Sequence, residues 1–127
     1  MGFYEEEKRV LCVCSQGVNR SKYLAEYLRE KGYSTRYGGI VFFALNKLKK
    51  SDVDWADIII FMRKHHKFLF NLKFSKKGKK IISLEIIDNP AKSIFDHPDI
   101  IEMDYWEVQK KITYPEIRRQ IDKHLPL

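Results

Sequence analysis

Cys14-Ser15-Gln16-Gly17-Val18-Asn19-Arg20-Ser21 is the stretch of this chain whose residue types and spacing could do chemistry. A thiol is followed, after five residues, by a guanidinium and then a hydroxyl. Loop amides that curl inward form a nest for an anion. A helix opening at Arg20-Ser21 adds unpaired N–H groups and its dipole. The planar fork of Arg20 can hold two oxygens of a tetrahedral oxyanion at once. The same positive field favours a thiolate at Cys14, the form that attacks phosphorus in line. Ser21 is placed to hydrogen-bond the sulfur and ease its departure. Cys14 is thus the expected nucleophile, and Ser15, Gln16, Gly17, Val18, Asn19, Arg20 and Ser21 the expected phosphate cradle. The chain has no Gly-x4-Gly-Lys-Ser/Thr loop and no dinucleotide fingerprint.

A phosphate ester also needs a proton for its leaving oxygen. Asp88 is the expected general acid, and the base that activates water afterwards. The competing use of Asp88, just before Asn89-Pro90, is an Asx-turn. Asp96 and Asp99 are rivals better explained as helix starts. Asp104 lies in a helix pattern. His65 and His66 are adjacent, do not share a helix face, and are expected at the surface. Tyr37, Phe42 and Phe43 could wall the phosphate site, but their spacing is that of core residues.

The elements that must position these groups alternate along the chain. Arg9 to Cys14 is a short apolar run, read as a buried strand. Ser21 to Lys31 has Leu24, Ala25 and Leu28 at helical spacing, with Gly32 where a C-cap belongs. Tyr33 to Tyr37 is a second strand closed by Gly38-Gly39. Phe42 to Lys50 reads as helical. Asp57 to Met62 is a third strand, apolar throughout, as when both faces are covered. A basic helix over Lys64 to Leu72 precedes a fourth strand, Lys80 to Ile87. Asp88 to His97 is a loop, and two helices follow. Thr113-Tyr114-Pro115-Glu116 has the form of a capping box, after which Ile117, Ile121 and Leu125 line one face. Such alternation predicts an α/β fold: parallel strands, right-handed crossovers and helices on both faces of the sheet. Ligands then bind beyond the carboxyl ends of the strands, where Cys14 and Asp88 both fall.

The bulk numbers agree with one compact domain over residues 1–127. Hydrophobic residues make up 44% and charged residues 32%, which excludes a disordered chain, and no apolar run is long enough to cross a bilayer. Glu5-Glu6-Glu7 stands where a signal peptide needs basic residues, and Glu6 where myristoylation needs Ser or Thr, so the expectation is a cytoplasmic protein off the membrane. Cys12 and Cys14 lack the companions of a zinc site and suit a reduced compartment, so no metal or cofactor is expected. The net charge is +7, and residues 63–80 hold eight basic residues and no acidic one. That segment is either a solvated face or a surface for an acidic partner or nucleic acid.

Cys-x5-Arg-Ser after the first strand resembles the low-molecular-weight protein tyrosine phosphatase superfamily. Trp55 to Met62 is similar to the family's third strand, and Glu85 to Pro90 stands at its acidic loop. The resemblance runs from about Lys8 onward. It implies a three-layer fold with a four-stranded parallel sheet in the order 2-1-3-4. It also implies metal-independent hydrolysis of a phosphomonoester, on a phosphoprotein, with phosphotyrosine one candidate, or on another substrate, through a phosphocysteine. Asn19-Arg20-Ser21, Gly32 to Arg36 and Asp88-Asn89 also resemble the branch that acts on the RNA polymerase II tail, although the chain is short for that branch's extra elements. Gln16 and Gly17 replace the family's usual Gly-Asn, and Gly17 tolerates a left-handed backbone at less steric cost. Asn19 replaces the usual second cysteine, so the protective disulfide that some members form across the loop is unavailable in that form. Asn89-Pro90-Ala91 replaces the aromatic pair that grips phosphotyrosine. The alternatives are a phosphate-binding pseudo-phosphatase or interaction module, a phosphocarrier, against which Arg20 counts, and an arsenate reductase dependent on an external thiol.

Overall fold

The computed structural model describes residues 8–86 and 103–127. These fall into two units, one running to Glu85 and including Leu127, the other from Ile86 to Pro126. Asp88, Asp96, Asp99 and the loop expected over Asp88 to His97 lie outside the described residues.

The first unit is a parallel sheet of β1 (Arg9–Cys14), β2 (Ser34–Gly39), β3 (Ile58–Phe61) and β4 (Lys80–Ser83), in the order β2-β1-β3-β4. Helices α1 (Arg20–Glu30), α2 (Lys50–Trp55) and α3 (Lys64–Asn71) connect the strands. The α/β architecture and strand order are those expected. Register sets Cys14 opposite Gly39 on one side of β1, and Val13 opposite Phe61 on the other.

Strand alternation splits β1 between the two faces of the sheet. Leu11 and Val13 join Ile59 and Phe61 in a core closed by Val53 and Ala56 at α2 and by Phe70 of α3. Cys12 and Cys14 point the other way, toward α1, whose buried face is Ser21, Leu24, Ala25 and Leu28. The helix stops where Gly32 was expected to stop it. Tyr33 N–H donates to Leu28 carbonyl at 3.2 Å and Gly32 N–H to Arg29 carbonyl at 3.0 Å, a Schellman pair.

Three local expectations change. Of the helix expected over Phe42 to Lys50, residues 42–49 are not helical, because backbone of this stretch is committed to β2. Gly39 N–H donates to Asn46 carbonyl at 2.8 Å and Leu48 N–H to Gly39 carbonyl at 2.9 Å. Helix α2 starts only at Lys50, where the Asp52 carboxylate accepts from Lys49 N–H at 3.1 Å. β4 ends at Ser83, short of Ile87, because β3 itself ends at Phe61. Leu84 N–H makes a closing bond to the Phe61 carbonyl at 2.8 Å.

In the second unit, Asp104 caps α4 (Tyr105–Val108) by accepting from Glu107 N–H at 2.9 Å. The chain then runs through a π-helical turn, Gln109–Thr113, into α5 (Tyr114–Asp122). Thr113 is helical and makes no capping bond, so the expected capping box does not form. Pro115 has no N–H to give and its ring crowds the preceding turn, and a wider turn there relieves both. Tyr114 N–H accordingly reaches back to Gln109 carbonyl, the longer π spacing.

Phe70 is fully buried and meets Phe61 edge-to-face with ring centroids 5.2 Å apart. Phe70→Ala should cost about 3–5 kcal/mol in chemical denaturation, through lost burial and the cavity left behind.

Candidate functional site

β1 hands the chain to α1 through residues 15–19, at the carboxyl end of the sheet. This is the topological switch point, since the chain leaves β1 toward β2 on one side and later returns to β3 on the other. Cys14 ends β1 with 6% of its surface exposed. Its Sγ lies 3.0 Å from Ser21 Oγ and 3.2 Å from the Gly17 amide nitrogen. An amide from the middle of the loop and a hydroxyl from the first turn of α1 therefore converge on one sulfur. Ser21 is itself fully buried.

The loop keeps this form by resting backbone on backbone against the end of β2. Ile40 N–H donates to Cys14 carbonyl at 3.0 Å, Val41 N–H to Ser15 carbonyl at 3.3 Å and Asn46 N–H to Gln16 carbonyl at 3.0 Å. The Asn46 side-chain amide donates to the carbonyls of Gly17 and Tyr37 at 2.9 and 3.3 Å. Gln16 Oε1 accepts from Leu45 N–H at 3.1 Å. The separation leaves no room for side chains. A Cβ on Gly17, whose φ is +73°, would meet Gly39 N at 2.3 Å, and one on Gly39 would meet Gln16 C at 2.4 Å.

The expected cradle residues sit as follows. Ser15 and Gln16 are half-buried, and Gly17 is buried between the loop and β2. Val18 is 42% exposed, so it offers its backbone rather than an apolar anchor. Asn19 holds the N-cap position of α1 without a side-chain capping bond, and Arg20 is the helix's first residue, half-buried. Cys12 faces the same side of β1 as Cys14 but is fully buried. Burial, and after it the neighbouring Cys14, pushes its thiol far up, which makes it an unreactive core group.

His66 is the residue that sequence reasoning missed. Expected at the surface, it is only 2% exposed. It stands on the first turn of α3, which β3 delivers to the same end of the sheet. Its Nε2 lies 2.9 Å from Ser15 Oγ, inside the loop. Burial first, and then His65, Arg63 and Arg20, push its imidazole down to about 3. The ring is therefore neutral at working pH. Nδ1 is buried and has no hydrogen-bond partner among the described residues. Placing the single ring proton on Nε2 leaves only a lone pair unmet at Nδ1. Nε2–H then donates to Ser15 Oγ, and the Ser15 hydroxyl proton stays available to a further acceptor. Strict helical spacing on a short amphipathic helix was the available signal. His66 and Phe70 are one turn apart, and both are buried.

The aromatic expectation also changes. Phe42 and Phe43 are not core: they are 80% and 75% exposed on the segment that leans against the loop, while Tyr37 is half-buried.

The fold of the described residues is thus a four-stranded parallel α/β sheet with a cysteine loop at its switch point. The protein is similar in fold to the YwlE arginine phosphatase from Geobacillus stearothermophilus, with a TM-score of 0.55 and 18% sequence identity, covering 92% of this chain and 94% of that one. No family model matches the sequence. No curated protein matches it either. No helix among the described residues is long and apolar enough to cross a membrane.

Two outcomes follow. Gly39→Ala should lower stability by about 2 kcal/mol or more in thermal melts, because backbone on both sides of the new Cβ must move. The depressed titration of His66 fixes a sign with pH. Below the ordinary histidine value of ~6.5 the unfolded chain takes up a proton that the folded chain refuses until about 3. Stability from this group is therefore full above ~6.5 and falls as pH drops toward 3, by at most ~1.4 kcal/mol per pH unit. In urea melts at stepped pH, His66→Phe should be less stable at neutral pH but show a shallower acid slope than wild type.

Proposed function

We propose that this protein is a metal-independent phosphomonoester phosphatase that works through a phosphocysteine at Cys14. The observation that carries the reading is the Cys14 sulfur, held at hydrogen-bond distance from both the Gly17 amide and the Ser21 hydroxyl at the floor of a Cys-x5-Arg loop. A structural thiol has no need of either partner. Support comes also from the fold, shared with a protein described as an arginine phosphatase, and from the family resemblance of the loop itself.

In the first step the Cys14 thiolate attacks phosphorus. The S–P bond forms as the bond to the leaving oxygen breaks, and the Asp88 carboxyl gives that oxygen its proton. Arg20 and the amides of residues 15–20 hold the three equatorial oxygens. In the second step Asp88 takes a proton from water as the water attacks phosphorus. Inorganic phosphate leaves, and Ser21 hydrogen-bonds the departing sulfur. The neutral His66 orients Ser15 without placing a second cation beside Arg20.

Hydrolysis of p-nitrophenyl phosphate in EDTA tests this reading. Wild type should turn over, Cys14→Ser should be inactive, and Asp88→Asn should lose roughly 10²–10⁴ in rate. Phosphotyrosine, phosphoserine and phosphoarginine assayed in parallel sort the substrate class. A wild type that binds vanadate but hydrolyses none of these would instead be the phosphate-binding pseudo-enzyme.

A further inference from the structure

Two long stretches of the chain contain no acidic residue, 31–51 and 58–84, with five and eight basic residues respectively. The fold brings part of each to one place. Lys47 Nζ, from the first stretch, lies 5.1 Å from the centroid of the Phe42 ring, and Lys73 Nζ, from the second, lies 5.9 Å from the same centroid. Lys73 follows directly on Leu72 at the end of α3. Leu72 and Phe68 are one helical turn apart, so they share a face. They are 69% and 65% exposed, Phe42 is 80% exposed and Leu45 is 81% exposed.

Scattered exposed apolar residues need no explanation, but a set tied together in this way marks a contact surface. We propose that Phe42, Lys47, Phe68, Leu72 and Lys73 form a docking surface for an acidic, amphipathic protein segment, one whose carboxylates alternate with leucine or aromatic side chains. The chemistry selects that occupant in three steps. Absence of acid across both stretches gives a surface of one sign, complementary to carboxylates. Single-stranded nucleic acid is recognised by stacking on free ring faces. Here two of the four exposed apolar side chains, Leu45 and Leu72, offer nothing to stack on, and two ammonium groups lie beside the ring of a third, Phe42. A bilayer surface favours apolar groups on one face and cations segregated to the other. Here the lysines lie over the ring itself, so charge and apolar area are interleaved. A partner that interleaves them likewise buries the rings and leucines while pairing each ammonium with a carboxylate.

The surface adjoins the Cys14 loop, since Leu45 N–H donates to Gln16 Oε1 at 3.1 Å. Resting on the phosphatase reading, the docked segment belongs to the phosphoprotein substrate. It lowers KM for that substrate without touching the reacting atoms.

The test separates this surface from the phosphatase reading by using an unphosphorylated probe. A fluorescein-labelled peptide of alternating glutamate and leucine, with one phenylalanine, is titrated with the full chain and read by anisotropy. Binding should weaken with salt. It should weaken by about tenfold or more in Lys47→Glu/Lys73→Glu, and comparably in Phe68→Ser/Leu72→Ser. Both double variants should melt as wild type does and hydrolyse p-nitrophenyl phosphate as wild type does. A phosphopeptide carrying the same acidic flank should show a raised KM and an unchanged kcat in the variants. The proposal is overturned if neither double variant weakens peptide binding. It is overturned equally if oligouridine, or vesicles containing phosphatidylserine, bind more tightly than the peptide and lose that binding in the same variants. Peptide binding with no hydrolysis of p-nitrophenyl phosphate by wild type would leave the surface standing and remove the phosphatase reading.

Discussion

The contact on which the site depends is between two backbones. Residues 15–17 lie directly against Gly38, Gly39 and Asn46, so close that a single methyl group on Gly17 or Gly39 would overlap main-chain atoms. The contact is held mainly by main-chain hydrogen bonds, which have fixed direction, with the Asn46 and Gln16 side chains adding one bond each across it. A loop held in this way cannot change the direction of its peptide groups without breaking several bonds to residues 40–46 at once. That rigidity brings the Gly17 amide to the Cys14 sulfur, and such preorganisation is what makes a hydrogen bond effective on a charged group. It also explains why residues 42–46 do not form a helix. The amides of Leu45 and Asn46 and the carbonyl of Asn46 are already in use.

The second constraint is electrostatic. Burying a histidine beside two arginines is costly if the ring is charged and tolerable if it is neutral. His66 takes the neutral course, and one nitrogen is then free to support the loop through Ser15. The cluster thereby keeps a polar link between α3 and the loop without adding a cation or bringing in a carboxylate. A carboxylate in that position would compete with an incoming anion for Arg20. The histidine is a compromise between holding the loop and leaving its field intact, and the lone pair left unmet at Nδ1 is the cost of that compromise.

The sheet was legible from the sequence because its signals are local and redundant. The apolar run of β1, the continuously apolar Ile58–Phe61, and the helix of α1 closed at Gly32 each show in their own residues. The position of the cysteine loop was legible because its residues are compressed into eight consecutive positions. What could not be read were consequences of tertiary contact. Nothing in Phe42 to Lys50 says that its backbone will be spent on β2 and on the loop. Nothing in the pair His65-His66 says which ring turns inward. A helix prediction that counted His66 with Phe70 as one face would have found it, but polar rings are by habit placed outside. Pro115 misled in the opposite way. Its position suggested a helix start, but the chain absorbs it with a π turn inside a longer helical run.

Fold and chemistry point the same way here but carry different weight. A doubly wound parallel sheet hosts many activities, and a shared fold at 18% identity says which end of the sheet to look at rather than what happens there. What narrows the choice is the environment of one atom. A buried structural cysteine is satisfied by apolar neighbours, as Cys12 is on the same strand face two residues earlier. Cys14 differs from it in being given an amide and a hydroxyl, at the mouth of a loop whose amides have been fixed by contacts elsewhere. Two thiols of one strand, in one sheet, are thus set apart by burial of the one and by the loop geometry around the other. The difference between them is the physical ground for proposing Cys14, and not Cys12, as the nucleophile.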